Sequence, residues 1–181
     1  MFRIGFGTDI HRLVAGRPLI IGGVEIASDL GADGHSDADV LMHAAADAIL
    51  GALALGDLGT HFPNDEERWR NAESSQFVRY AVELIGERGY SVVNFDSVVD
   101  LELPKLRPHI DTMRANLADA LGIALDCVSV KAKTGEAVDA VGEFTTEGQA
   151  CFLGDRKTPS AVIRHIEIIG EAVKRLSLQI T

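Results

Sequence analysis

The chain has 181 residues, 46% of them hydrophobic but only 6% aromatic, so one domain with an aliphatic, alanine-rich core is expected. No apolar run reaches the roughly 20 residues of a membrane span, and Met1-Phe2-Arg3-Ile4-Gly5 lacks the build of a signal peptide, so a cytoplasmic protein is expected; a plastid precursor stripped of its transit peptide would read the same. A formal net charge of −10 argues against nucleic-acid partners, which need basic surface to displace counterions, yet a few cations and a metal can still form a local anion pocket.

In chain order, Arg3 to Gly7 reads as a first strand, and Leu19–Ile21 with Val24–Ile26 as a hairpin around Gly22-Gly23. A helix is predicted after Ser36, with Ser36 and Asp39 as a capping box, running to Leu55. A second helix spans about Ser74 to Arg88, with Phe77, Val78, Ala81, Leu84 and Ile85 on its apolar face and Gly89 as its stop. Ser91 to Leu101 reads as one long strand ended by Pro104. A third helix starts near Pro108 and ends at Gly122, Cys127 to Ala132 is a strand, and Gln149 to Leu153 is a weaker one. In the tail, Thr158-Pro159 resembles a helix start, and Val162, Ile163, Ile166, Ile169, Val173 and Leu176 share one helical face, so an added helix over about 159–176 is predicted. Cys127 and Cys151 read as buried free thiols. With no internal repeat and no linker, residues 1–181 form a single domain. Its fold class is α+β, a mixed sheet covered by helices on one face, and the bare face calls for an oligomer.

Asp9-Ile10-His11 is the first chemical signal. In an extended segment Asp9 and His11 point the same way and Ile10 turns to the core. One carboxylate beside one imidazole is two-thirds of a catalytic zinc site; by itself the pair also reads as a surface pair at a strand end. In Gly34-His35-Ser36-Asp37-Ala38-Asp39-Val40-Leu41-Met42-His43, a helix from Ser36 would stack Asp39, His43 and Asp47 one turn apart. That stripe reads either as a solvated face or as a ligand histidine with a carboxylate or carbonyl orienting its second ring nitrogen. Asp9, His11 and His43 together would leave a coordination position open to substrate. His35 and Ser36, at the helix start, would meet a phosphate on free backbone N–H groups.

Five motifs in register resemble 2-C-methyl-D-erythritol 2,4-cyclodiphosphate synthases: Gly5-x-Gly7-x-Asp9-x-His11; His35-Ser36-Asp37-x-Asp39 with His43; Leu55-Gly56-Asp57-Leu58-Gly59 with Phe62-Pro63; Pro104-Lys105-Leu106-x-Pro108-His109; and Val130-Lys131-Ala132-x-Thr134-x-Glu136. The resemblance covers about Arg3 to Cys151. It implies a homotrimer with sheets packed around a central axis and active sites between subunits. The implied reaction closes 4-diphosphocytidyl-2-C-methyl-D-erythritol 2-phosphate into a cyclic diphosphate with release of CMP, a phosphorus–oxygen lyase step of the non-mevalonate isoprenoid pathway.

By the same resemblance, Asp9, His11 and His43 bind zinc or another divalent transition metal, and Glu136 binds a magnesium or manganese ion on the diphosphate. His35 and Thr134 stabilise the transition state. Ser36, Asp57, Leu58, Gly59, Phe62, Pro63, Asn64, Asp65 and Glu66 face the methylerythritol phosphate. Pro104, Lys105, Leu106, Arg107, Ala132 and Lys133 face the cytidine diphosphate from the neighbouring subunit. Lys133 and Gly135 stand where many members carry hydroxyl residues. The segment Gly142 to Gly148 lacks the arginine that lies by the trimer-axis cavity in relatives, so isoprenoid-diphosphate regulation does not carry over. Two other readings stay open at this stage: a metal-dependent phosphohydrolase acting on a related ester, and a non-enzymatic isoprenoid-diphosphate binder.

Overall fold

The first strand, β1 (Phe2–Gly7), divides its residues between two environments. Phe2, Ile4 and Phe6 are exposed on one side, while Gly5 and Gly7 are buried on the other. Helix α1 (Val40–Ala52) lies directly on the glycine side. A Cβ built on Gly5 would stand 1.8 Å from the Ala48 carbonyl oxygen, and one on Gly7 would stand 2.2 Å from that of Ala44. Only glycine permits this approach, and the helix answers with small residues, Ala44, Ala48 and Ala52. In this computed structural model residues 2–134 and 168–175 are described.

The chain continues through β2 (Leu13–Ala15), β3 (Leu19–Ile21), β4 (Val24–Ile26) and β5 (Leu30–Ala32), which form two small antiparallel pairs, β2 with β5 and β3 with β4. The expected hairpin is thus present, its turn made by Gly22 and Gly23 at φ of +59° and +69°. After α1 come α2 (Leu58–His61), α3 (Ser75–Gly86), β6 (Tyr90–Val92), β7 (Phe95–Asp100), α4 (Ile110–Leu121), β8 (Val128–Lys133) and β9 (Ile168–Arg175). The large sheet runs β1-β9-β7-β8, with β6 also on β9. Strand β9 is antiparallel to β1 and β7, and β7 is parallel to β8, so β1, β7 and β8 all point one way in a mixed sheet. The inward positions Phe95, Ser97, Val99, Val128 and Val130 are buried with α1, α3 and α4, whereas Lys131 is exposed on the other face. Helices therefore cover one face of an α+β domain, as expected.

Four expectations change. The long strand is two, β6 and β7, interrupted at Val93-Asn94. Helix α1 begins at Val40, because Asp39 caps it and accepts from the N–H groups of Leu41 and Met42 at 3.1 Å each. The tail is a strand at Ile168–Arg175, where a helix was expected; the rest of the 159–176 region lies outside the described residues. A β-branched, Gly170-containing stretch serves either state, and the open slot between β1 and β7 selects the strand. Cys127 is half-buried and free, and Cys151 lies outside the described residues, as does the strand expected at 149–153.

Candidate active site

The close contact of β1 with α1 places the Asp9-Ile10-His11 segment against His43, one turn into the helix. Asp9 Oδ2 lies 3.0 Å from His11 Nε2 and 2.9 Å from His43 Nδ1, and the two ring nitrogens are 3.3 Å apart. A tetrahedral ion with bonds of about 2.0–2.1 Å sets its ligands about 3.3 Å apart, so shifts of a few tenths of an ångström would let these three atoms hold a divalent metal. Among the described residues this is the one cluster of three or more His, Cys, Asp or Glu groups with that spacing. Burial raises the Asp9 carboxyl, but hydrogen bonds and charge from His11 and His43 outweigh it and hold the group well below the usual carboxylate range. Burial lowers His11, and Asp9 together with Asp33 more than restores it, so the net shift is upward. Ile10 is 54% exposed: it turns outward, not to the core, because residues 8–11 leave the sheet and lose its alternation.

The polar stripe expected on α1 dissolves into three separate tasks. Asp39 is fully buried, and its two oxygens also accept from Gly22 N at 2.9 Å and Gly23 N at 2.6 Å, tying the β3–β4 turn to the helix start. The anion at this helix N-terminus is therefore Asp39 itself, and the free N–H groups expected beside His35 and Ser36 are already engaged. Burial pushes Asp39 up to about 6, against the backbone N–H groups of Gly23, Gly22 and Met42. Asp47, one turn beyond His43, accepts from Leu58 N at 2.6 Å and so anchors the start of α2. Asp57 caps that short helix through Thr60 N at 2.8 Å, and the Asp47–Leu58 bond holds this segment beside α1.

The remaining candidates fall into two groups. His35 Nε2 is 3.0 Å from the Glu66 carbonyl oxygen, which joins the His35-Ser36 turn to the 63–66 loop, where Asn64 and Asp65 are exposed. Phe62 packs against Phe77 at 4.5 Å and Trp69 at 4.9 Å between ring centroids. Lys105 and Arg107 are exposed after β7, Pro104 follows a cis peptide bond, and Leu106 is buried as the anchor of that turn. Arg107, Ile110, Asp111, Val130, Lys131, Ala132 and Lys133 line a recess of about 500 Å³. Thr134 immediately follows β8, and Glu136 lies outside the described residues. Because β1, β7 and β8 are parallel, Asp9, Pro104 and Thr134 all follow the same end of the sheet. Yet β1 and β8 are three strand spacings apart, about 14 Å.

Residues 2–153 match the profile of the YgbB family. The chain belongs to the YgbB family. A Salinibacter ruber relative named 2-C-methyl-D-erythritol 2,4-cyclodiphosphate synthase is 58% identical over 153 residues, 83% of this chain and 98% of that protein. A chloroplastic synthase of Oryza sativa is 52% identical over 142 residues, 78% of this chain and 64% of that protein. Among solved structures, a synthase in its CDP-bound form superposes with a TM-score of 0.71 at 41% identity over 75% of this chain and 91% of its own. A Plasmodium falciparum IspF in complex with CDP gives 0.67 at 36% identity over 78% and 87%. The YgbB match ends before β9. No helix among the described residues is long and apolar enough to cross a membrane.

Sequence reasoning missed two YgbB residues that the structure brings to the site. His43 Nε2 is held not by a carboxylate or carbonyl but by two hydroxyls, Ser36 Oγ at 3.0 Å and Ser74 Oγ at 2.8 Å. Ser74 in turn donates its hydroxyl to Asp37, which also accepts from Ser74 N at 2.9 Å. Asp37 stands in a motif that gave it no task, and Ser74 marked only the approximate start of the second helix; the pairing of residues 35–37 with 71–74 joins them.

Proposed function

We propose that this chain is a 2-C-methyl-D-erythritol 2,4-cyclodiphosphate synthase, a phosphorus–oxygen lyase of isoprenoid biosynthesis. The observation that carries the reading is the meeting of Asp9, His11 and His43 at metal-ligand spacing in a chain 58% identical to a protein of that name. The 2-phosphate oxygen of 4-diphosphocytidyl-2-C-methyl-D-erythritol 2-phosphate forms a bond to the β-phosphorus. The bond from that phosphorus to the bridging oxygen breaks, and CMP leaves with the oxygen. Asp9, His11 and His43 would hold a zinc or similar ion, which when bound supplies Lewis-acid polarisation of the β-phosphate. Glu136 would hold magnesium or manganese on the diphosphate.

The chain's own side chains bind and orient. His35, with one ring nitrogen on Glu66, directs the other toward the phosphates, and Thr134 donates its hydroxyl there. Ser36 and the segment Asp57, Leu58, Gly59 and Phe62 to Glu66 enclose the methylerythritol phosphate. The recess beside Arg107, together with Pro104, Lys105, Leu106, Ala132 and Lys133, receives the cytidine diphosphate, in keeping with relatives solved with CDP. Holding both reacting phosphates in one folded conformer supplies much of the rate in an intramolecular displacement.

The chain works as a homotrimer with each site shared between neighbours. Supporting this, Phe2, Ile4 and Phe6 are 65%, 69% and 60% exposed in a row on the bare sheet face, more apolar surface than an isolated strand ordinarily leaves to water. The distance across the sheet between the metal-binding and cytidine-facing segments agrees with completion by a second copy. Nucleic acid and membrane are not partners in this reading, and residence is cytoplasmic. The test is incubation with the cytidylyl substrate and divalent metal, followed by phosphorus NMR. CMP with a cyclic diphosphate supports the proposal, and inorganic phosphate would replace it with a phosphohydrolase.

A further inference from the structure

A buried hydroxyl–carboxylate pair behind His43 has no part in the activity as described. Ser74 is fully buried at the start of α3, where a serine ordinarily caps the helix with its own side chain. Here it makes no cap hydrogen bond; its Oγ lies 2.8 Å from His43 Nε2 and donates to Asp37. Asp37 is placed for this by three contacts. It accepts from Ser74 N at 2.9 Å and from Asp39 N at 3.1 Å, and its own N–H donates to Ala72 O at 3.1 Å. The His43 ring also packs beside Phe77, with ring centroids 6.0 Å apart.

A count of protons decides the direction of each bond. Ser74 has a single hydroxyl proton, and the Asp37 carboxylate, an acceptor only, takes it. Toward His43 the Ser74 oxygen can then offer only a lone pair, so His43 Nε2 must carry the ring proton. Nδ1 is then the ring nitrogen that faces Asp9 and His11, where a bound metal would take the place of its hydrogen bond to Asp9. Ser36 Oγ, 3.0 Å from the same nitrogen, can share the proton or bond elsewhere without altering this result.

We infer that Ser74 and Asp37 are positioning residues for the metal centre: they set the tautomer and ring orientation that make His43 Nδ1 a ligand. This rests on the proposed metal site. An outer partner of a metal-bound histidine is worth about 10–100-fold in affinity.

The test uses the full-length chain and zinc alone. In long-range nitrogen–proton NMR spectra of the wild type, His43 Nε2 carries a proton both in the metal-free and in the zinc-bound protein. In competition against a chromophoric chelator, Ser74→Ala binds zinc about 10–100-fold more weakly, with a cobalt absorption spectrum shifted from the wild type and circular dichroism unchanged. Asp37→Asn offers one oxygen where Ser74 N, Ser74 Oγ and Asp39 N all donate, so zinc affinity falls in the same range as for Ser74→Ala. A wild-type His43 with unprotonated Nε2, or Ser74→Ala affinity within about twofold of wild type, overturns the inference. A wild type that binds no zinc overturns the metal site instead, and the tautomer in the same metal-free spectra still decides the relay without relying on variants that fold poorly.

Discussion

Replacing Gly7 by alanine tests whether the β1–α1 contact builds the metal centre. The new Cβ would lie 2.2 Å from Ala44 O and 2.7 Å from Ala48 N, where ordinary contact begins at 3.4 Å. The shortfall, 3.4 less 2.2, is about 1.2 Å. Both neighbours are helix backbone, so no side chain can swing aside, and α1 must lift from the sheet by about that distance. Overpacking of this kind costs about 1–3 kcal/mol. For a domain of this size that is a fall in Tm of roughly 2–12 °C. The effect on the site is sharper. His43 follows Ala44's helix while Asp9 follows β1, and metal–ligand distances tolerate only about 0.2 Å. Zinc affinity should therefore fall by about 100-fold or more, beyond the loss expected for an outer-shell defect. Differential scanning calorimetry and a chelator-competition titration read the two quantities. Gly86→Ala is the control: its Cβ would meet nothing within 4 Å, and both readings should stay at wild-type values or Tm should rise slightly. A Gly7→Ala protein with wild-type Tm and zinc affinity would refute the argument that these glycines set the site.

Asp39 predicts a pH signature. Its folded value of about 6 exceeds the unfolded 3.8, so the folded state binds the extra proton between those values and wild-type stability falls as pH rises through that window. Relative to Asp39→Asn, which cannot titrate, the wild type should lose about 2 kcal/mol between pH 4 and pH 7 in urea melts, and parallel profiles would show the carboxylate titrating normally. Deleting residues 168–181 removes β9, through which β1 joins the sheet, and its backbone bonds at about 1 kcal/mol each. A drop in Tm of roughly 10 °C is expected, and an unchanged melt would mean the slot is filled otherwise. On the proposed trimeric assembly, His43→Ala and Lys105→Ala should each be severely impaired alone, the first without bound zinc. Refolded together, they should regain activity where an intact metal arm meets an intact lysine. Mixed trimers shown by mass spectrometry to be inactive would place both arms in one chain.

What could be read in one dimension was local. Period, caps and breakers located α1, α3, α4 and the Gly22-Gly23 hairpin, because each rests on contacts within a few residues. Asp9-x-His11 by itself also read as a surface pair; the resemblance singled out Asp9, His11 and His43, and the fold brings the three together. What required three dimensions was every choice between partners far apart in sequence. Asp39 could stack on a helix or cap it, and the Gly22-Gly23 amides chose the cap. Ile168–Arg175 carries a helical period, yet the unpaired edges of β1 and β7 made it a strand. Ser74, 31 residues from His43, became its partner only because the Asp37–Ala72 and Asn71–His35 backbone bonds bring two helix starts together. Propensity is set by neighbours along the chain, but the use of a buried polar side chain is set by whichever donor or acceptor the fold delivers to it, since an unpaired one costs more than any local preference.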